Sequence, residues 1–172
     1  MTRNRHASAP QVAAARVAAW LTLGIDPSEI SPDGLRRIRV LSGATFLLIG
    51  TGVLHAVEFY LLGVPELMLA IVITSMLAVA NLALLQHTHD PRLGAHIGLA
   101  LLAALICVGS WLTGGFQSSY AAWLYALPVA AAVSLDLRGV LIWVGITLEL
   151  MLGFWVLPLL GVRLPFTKTL IL

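Results

Sequence analysis

Charge is what this chain has least of. Lys, Arg, Asp and Glu together make up 10% of its 172 residues, against roughly a quarter in an ordinary soluble domain. A compact soluble fold of this size still exposes about 30% of what its unfolded chain exposes. With 59% apolar residues and a mean hydropathy of +0.95, there is too little polar surface to cover it. That excludes a cytosolic globular enzyme, a disordered regulator and a disulfide-stapled secreted module. Cysteine is nearly absent as well: Cys107 stands alone, so there is no internal disulfide and no thiolate-clustered metal site. No phosphate-cradling glycine loop, HExxH or Gly-x-Ser-x-Gly elbow occurs. Gly109-Ser110 falls in an apolar run with no histidine on a later helix to act as its base, which argues against an intramembrane serine protease. The net charge of +2 is too small for a nucleic-acid surface and fits cytoplasmic loops of a membrane protein.

What the chain has instead is apolar runs of spanning length. A bilayer core takes roughly 20 apolar residues of helix. Residues 40–62, 67–85, 97–112, 121–135 and 140–160 supply five such spans, the fourth short and interrupted by Pro128, and 166–172 reads as the opening of a sixth. The fold expected is therefore all-α, a polytopic membrane helix bundle over residues 39–172. Residues 1–38 form a cytoplasmic or interfacial segment without a cleavable signal core. Within it, residues 9–24 read as a short amphipathic helix on the membrane surface, interrupted by Arg16 and ended by Gly24. Asp26-Pro27-Ser28-Glu29 and Ser31-Pro32-Asp33 are successive helix-start signals, the second leading through Arg36, Arg37 and Arg39 into lipid.

The arginines set the orientation. With the N-terminus in the cytoplasm, the inner segments hold Arg3, Arg5, Arg16, Arg36, Arg37, Arg39, Arg92 and Arg138, and the outer ones only Arg163 and Lys168. The turns at 63–66 and 113–119 then face outward without a basic residue.

Ionisable groups inside hydrocarbon cost at least ~2.5–3.5 kcal/mol on insertion scales and invite a functional reading. His55 and Glu58 are three apart, hence on one helix face, in the outer third of the first span. Glu149 sits near the middle of the fifth, between Gly145 and Gly153 at four-residue spacing, where another helix can approach closely. The outer half is rich in rings, among them Trp111, Tyr120 and Trp123. These are either an interfacial aromatic belt or the wall of an apolar cavity that His55, Glu58 and Glu149 also line, suited to a small lipophilic ligand. His55 and Glu58 serve equally as an interhelical hydrogen bond, and no third ligand at their depth makes them a metal site. No metal and no cofactor are expected. Asn81, with Thr74 and Ala78 on its face, reads as helix–helix glue. His87, His89, Asp90 and His96 read as a solvated interfacial turn.

The stretch Thr113-Gly114-Gly115-Phe116-Gln117-Ser118-Ser119-Tyr120-Ala121-Ala122-Trp123-Leu124-Tyr125-Ala126-Leu127-Pro128-Val129 resembles a segment of the multi-span input regions of bacterial sensor histidine kinases and of some membrane-bound diguanylate and adenylate cyclases. There a paired-glycine turn precedes a short proline-bearing helix, and a small-residue turn with Arg, as in Leu135-Asp136-Leu137-Arg138-Gly139, leads to the next span. Arg36-Arg37-Ile38-Arg39 also looks like the start of their first span. The similarity covers residues 31–160, with Ser119 where those relatives often carry proline. It implies a homodimeric sensor region in the bacterial inner membrane, most simply that of a histidine kinase. It would receive a signal in the outer leaflet and pass it to a cytoplasmic effector outside these residues. The other classes are a cyclase input region, a small transporter using Glu58 and Glu149, and a stand-alone membrane protein. No inverted repeat supports the transporter.

Overall fold

A computed structural model describes residues 21–162 except Leu23, Pro27 and Glu29. The amphipathic helix expected over 9–24 and the sixth span at 166–172 lie largely or wholly outside the described residues. Those described form helices and turns, with no strand among them: α1 (Pro32–Leu61), α2 (Pro65–Thr88), α3 (Pro91–Thr113), a 3-10 turn at Gly115–Gln117, α4 (Ser119–Ala122), a second 3-10 turn at Trp123–Tyr125, α5 (Ala126–Ser134) and α6 (Leu137–Leu159).

Of the two helix-start signals before the first span, only the second is used. Ser31 accepts the Gly34 N–H and Pro32 opens α1. Asp26 closes only a local turn on the Ser28 N–H and hydroxyl. Pro32 holds the preceding residue in extended geometry (Ser31 ψ 150°), and Pro27 and Glu29 of the first signal lie outside the described residues. α1 then runs unbroken through Arg39. Proline also opens α2 (Pro65) and α3 (Pro91), where its missing N–H is no loss. Asp90 caps α3 through the Arg92 and Leu93 amides, and Asp136 caps α6 through Gly139.

Four helices, α1, α2, α3 and α6, are long and apolar enough to cross a membrane, and Ser119–Ser134 is a shorter apolar helix. The expected fourth span is thus a broken helical segment. Its break is not at Pro128 but three residues earlier, at Trp123–Tyr125. Pro128 has no N–H to give the Leu124 carbonyl, and its ring crowds that position. The helix therefore restarts at Ala126, which leaves Pro128 in a first turn where a missing donor costs nothing. Sixteen helical residues rise only ~24 Å, against ~30 Å of hydrocarbon.

Contacts fix the register. Gly52 of α1 faces Ile71 and Ser75 of α2, where an added Cβ would lie 2.9 Å from the Ser75 hydroxyl. Gly94 of α3 faces Leu41 and Leu85, and Asn81 donates to the Gly94 carbonyl at 2.9 Å, so Asn81 is helix–helix glue, buried with Thr74 and Ala78. Arg92 at the head of α3 pairs with Asp136 at the head of α6 at 3.2 Å. These two helices therefore start at the same end, and 114–135 must carry the chain back along the whole of α3. The return begins one turn inside the end of α3, with the Tyr120 ring lying directly on Gly109.

The core joins Ile38, Leu41, Leu85, Leu99, Ile106, Leu124, Leu127, Trp143 and Phe154, while the outward faces stay apolar, with Leu47, Leu54 and Leu61 at least 70% exposed. Water does not tolerate such a surface; hydrocarbon does. The chain is a membrane helix bundle in architecture.

The tight contact at Gly109 gives a stability test. A Cβ there falls 2.5–2.9 Å from the Tyr120 ring, whereas at Gly153 it meets nothing within 4 Å. Gly109→Ala is expected to destabilise the folded protein by about 1–3 kcal/mol and Gly153→Ala to change it by less than ~1 kcal/mol. Unfolding midpoints in mixed detergent check both.

Candidate functional site

At the end of the bundle opposite the arginines, His55 Nδ1 and Glu58 Oε2 lie 2.9 Å apart on α1. Spacing of three residues puts them side by side. Together they can hold one proton with no net charge, the form that hydrocarbon penalises least. Both are exposed, at 60% and 57%, and point away from the bundle interior. What ties them to the core is a run of rings. The His55 and Phe59 centroids are 6.4 Å apart, and Phe59 and Tyr120 again 6.4 Å. Phe59 is buried with Val64, Leu67 and Ile71, against Leu105, Leu112 and Tyr120. Tyr120 is held by the turn before it: Ser118 caps α4 through the Tyr120 N–H, and the Thr113 and Ser118 hydroxyls are hydrogen-bonded to each other.

The expected outer pocket therefore takes a different form. His55, Glu58 and Tyr120 are brought together through Phe59, another ring of the outer half. Trp111 (43% exposed) and Trp123 (64%) lie on the outer surface. Glu149 is also exposed, on a helix that has no extensive contact with α1. The register through Gly52–Ser75, Asn81–Gly98 and His96–Trp143 sets Glu149 near the level of Leu102 and His55 near that of Cys107. About five residues of helix separate them, ~7.5 Å along the axis. All three ionisable groups are exposed, His55 and Glu58 on α1 and Glu149 on α6.

An open groove of about 380 Å³ lies between α1 and α2, lined by Gly52, Ala56, Tyr60, Met68, Ile71 and Ser75 among others. At ~100° per residue these groove residues of α1 and the His55–Glu58 pair fall on opposite flanks of the helix. The small residues Gly52 and Ala56, four apart, are the sequence signal that could have located it.

At the other end the charges are paired. Asp33 bonds Arg36 (3.1 Å) and Arg37 (2.8 Å), and Arg37 also reaches the Ser134 carbonyl at 3.4 Å. Asp136 accepts the Gly139 amide, which, joined by the fields of Arg92, Arg37 and Arg138, holds its carboxyl below the ordinary aspartate range. The histidines expected in one solvated turn are separated. His87 and His89 are exposed, and His89 ends α2 at φ 55°. His96 is half-buried in the second turn of α3 and accepts the Trp143 indole N–H at 3.1 Å. Asp90 caps α3 just before Pro91, and that start pulls His96 into the helix.

Among known proteins the chain is similar to the hybrid signal transduction histidine kinase K of Dictyostelium discoideum, 23% identical over 137 residues. The match covers 80% of this chain and 11% of that protein, so the chain spans a small part of the relative's length. No family profile matches, and no solved structure matches.

Asp136 yields a pH prediction with a definite sign. Its folded-state pKa is depressed, so its contribution is present above the ordinary aspartate range and disappears as pH falls through the lowered value. Asn keeps the cap but not the charge. Asp136→Asn is expected to unfold more easily than the parent at pH 7, with the gap closing below about pH 4. Detergent unfolding midpoints between pH 7 and 3 decide it.

Proposed function

We propose that this chain is the membrane input module of a signalling protein, most simply the N-terminal region of a sensor histidine kinase. In this reading it lies in a bacterial inner membrane as a homodimer, with its N-terminus in the cytoplasm. The observation that carries it is the similarity, along 80% of an all-helical membrane chain, to a protein whose name is that of a hybrid histidine kinase. The charge layout supports the orientation: Arg36, Arg37, Arg39, Arg92 and Arg138 share one end, and the turns at the other carry no Lys or Arg among the described residues.

The input site is the His55–Glu58 pair with Phe59 and Tyr120. A lipophilic ligand, or a change in the bilayer, acts only through its differential affinity for two arrangements of the bundle. A hydrogen-bonded polar pair at the membrane's outer level that rests on a run of tilted rings offers such a difference. Movement of Phe59 displaces Tyr120, and Tyr120 sits on the backbone of α3 at Gly109.

The test is a chimera of residues 1–172 with the cytoplasmic core of a histidine kinase of known activity, assayed for autophosphorylation in vesicles of short and long acyl chains. The chimera is expected to respond to chain length. His55→Ala and Glu58→Gln are expected to change that response roughly fivefold or more while their unfolding midpoints stay within ~0.5 kcal/mol of the parent. Loss of folded protein in step with output would make the pair structural. Proton flux in liposomes abolished by Glu149→Gln would mark a carrier instead.

A further inference from the structure

The contact between His96 and Trp143 joins α3 to α6, and its chemistry has a direction. An indole N–H is a donor only. The ring nitrogen that faces it, His96 Nδ1 at 3.1 Å, must therefore be the acceptor, so the imidazole is neutral with its proton on Nε2. Trp143 is 5% exposed, and this is its cross-helix hydrogen bond. The two rings also lie nearly parallel, 27° apart with centroids at 6.4 Å.

A proton on Nδ1 changes both terms at once. The imidazolium has two donors and no acceptor, so the indole N–H then faces another N–H, loses its partner and stays buried. The same charge is attracted to the face of the indole, at a centroid distance near the limit for a cation over a ring. The neutral form is thus held edge-on by a hydrogen bond, and the charged form favours a turned ring seated over the indole. We infer that the His96–Trp143 contact is a proton-operated latch between α3 and α6. In the closed state His96 accepts the Trp143 N–H; in the open state the imidazolium has turned and this contact between α3 and α6 is broken, leaving the Arg92–Asp136 pair as the polar link at their heads. Histidine is the side chain suited to such a change between pH 8 and 5.

The surroundings let the latch act alone. Arg92, one turn earlier on α3, is paired with Asp136. Arg37, from α1, is held by Asp33 and the Ser134 carbonyl. Arg138 at the head of α6, His87 and His89 at the end of α2, and Glu149 further along α6 are exposed. Among the described residues none of these hydrogen-bonds to His96. The inference does not rest on the kinase reading, since the latch is a property of the bundle itself.

The experiment is nuclear magnetic resonance of the full chain in lipid nanodiscs with ¹⁵N-labelled tryptophan. The chain has five tryptophans, so five indole N–H signals are expected, that of Trp143 being the one lost in Trp143→Phe. At pH 8 it should sit at a hydrogen-bonded position, and between pH 8 and 5 it should move or broaden out in a single step. In His96→Gln, whose amide oxygen can still accept but cannot titrate, the signal should keep its pH 8 position down to pH 5. A Trp143 signal that is unchanged between pH 8 and 5 in the parent would overturn the latch. So would a His96→Gln signal that still changes over that range, since the change would then come from a group other than His96. If Trp143→Phe does not fold, comparing all five signals in the parent and in His96→Gln gives the same decision.

Discussion

A backbone amide or carbonyl in hydrocarbon has no water to bond, and each one left without a partner costs several kcal/mol. That constraint organises this molecule. Among the described residues, the breaks between helices fall at the two ends of the bundle, and each is closed locally. Ser31, Asp90, Ser118 and Asp136 cap helix starts, and Gly114 and His89 adopt left-handed geometry to end α3 and α2. The one departure inside an apolar stretch, Trp123–Tyr125, tightens to a 3-10 turn and stays helical in sense. The shortness of Ser119–Ser134 is accommodated the same way, because the return from α3 starts a turn inside it, with Tyr120 on Gly109.

Side-chain polarity follows the same economy and divides the bundle in two. Several threonine hydroxyls within the helices turn back on their own backbone: Thr45 to Leu41, Thr51 to Leu47, Thr113 to Gly109, Thr147 to Trp143. They join no helix to another. Besides the Thr113–Ser118 bond across one turn, four polar contacts cross between elements among the described residues: Asn81 to Gly94, Trp143 to His96, Arg37 to Ser134 and Arg92 to Asp136. All four lie toward the arginine end. The opposite end is held by packing of Phe59, Val64, Leu67, Ile71 and Tyr120, with the Thr113–Ser118 hydrogen bond confined to one turn. Directional bonds fix a geometry, whereas apolar packing has a softer angular preference. The bundle is joined by directional bonds at its basic end and chiefly by apolar packing where His55 and Glu58 sit.

The helices were legible because their signals are strong. Runs of spanning length locate α2 and α6 to within three residues and, with the Ser31-Pro32 start, α1, whereas α3 begins six residues before the expected 97. Asn81 was legible because a lone amide in lipid has few uses besides bridging helices. Which way a side chain points was not. In a soluble helix an apolar stripe marks the inside; here every face is apolar, so nothing in the pattern says that His55, Glu58 and Glu149 look outward. The same blindness hid the α1–α2 groove, visible only as Gly52 and Ala56 one turn apart. His96 was misplaced for a different reason. His-x-His spacing suggested a turn, but the Asp90 cap and Pro91 start the helix early enough to carry His96 into contact with Trp143, a partner 47 residues away.

The account stands on helices that thread a bilayer with the arginine end inside, and site-directed labelling in intact bacterial cells tests that most directly. With Cys107 replaced by serine, Gln117→Cys and His89→Cys each present one thiol in a turn, at opposite ends of the bundle. A membrane-impermeant maleimide should label Gln117→Cys in intact cells and His89→Cys only after the membrane is breached. Equal labelling of both in intact cells, the reverse pattern, or a chain that stays in solution without detergent would contradict it.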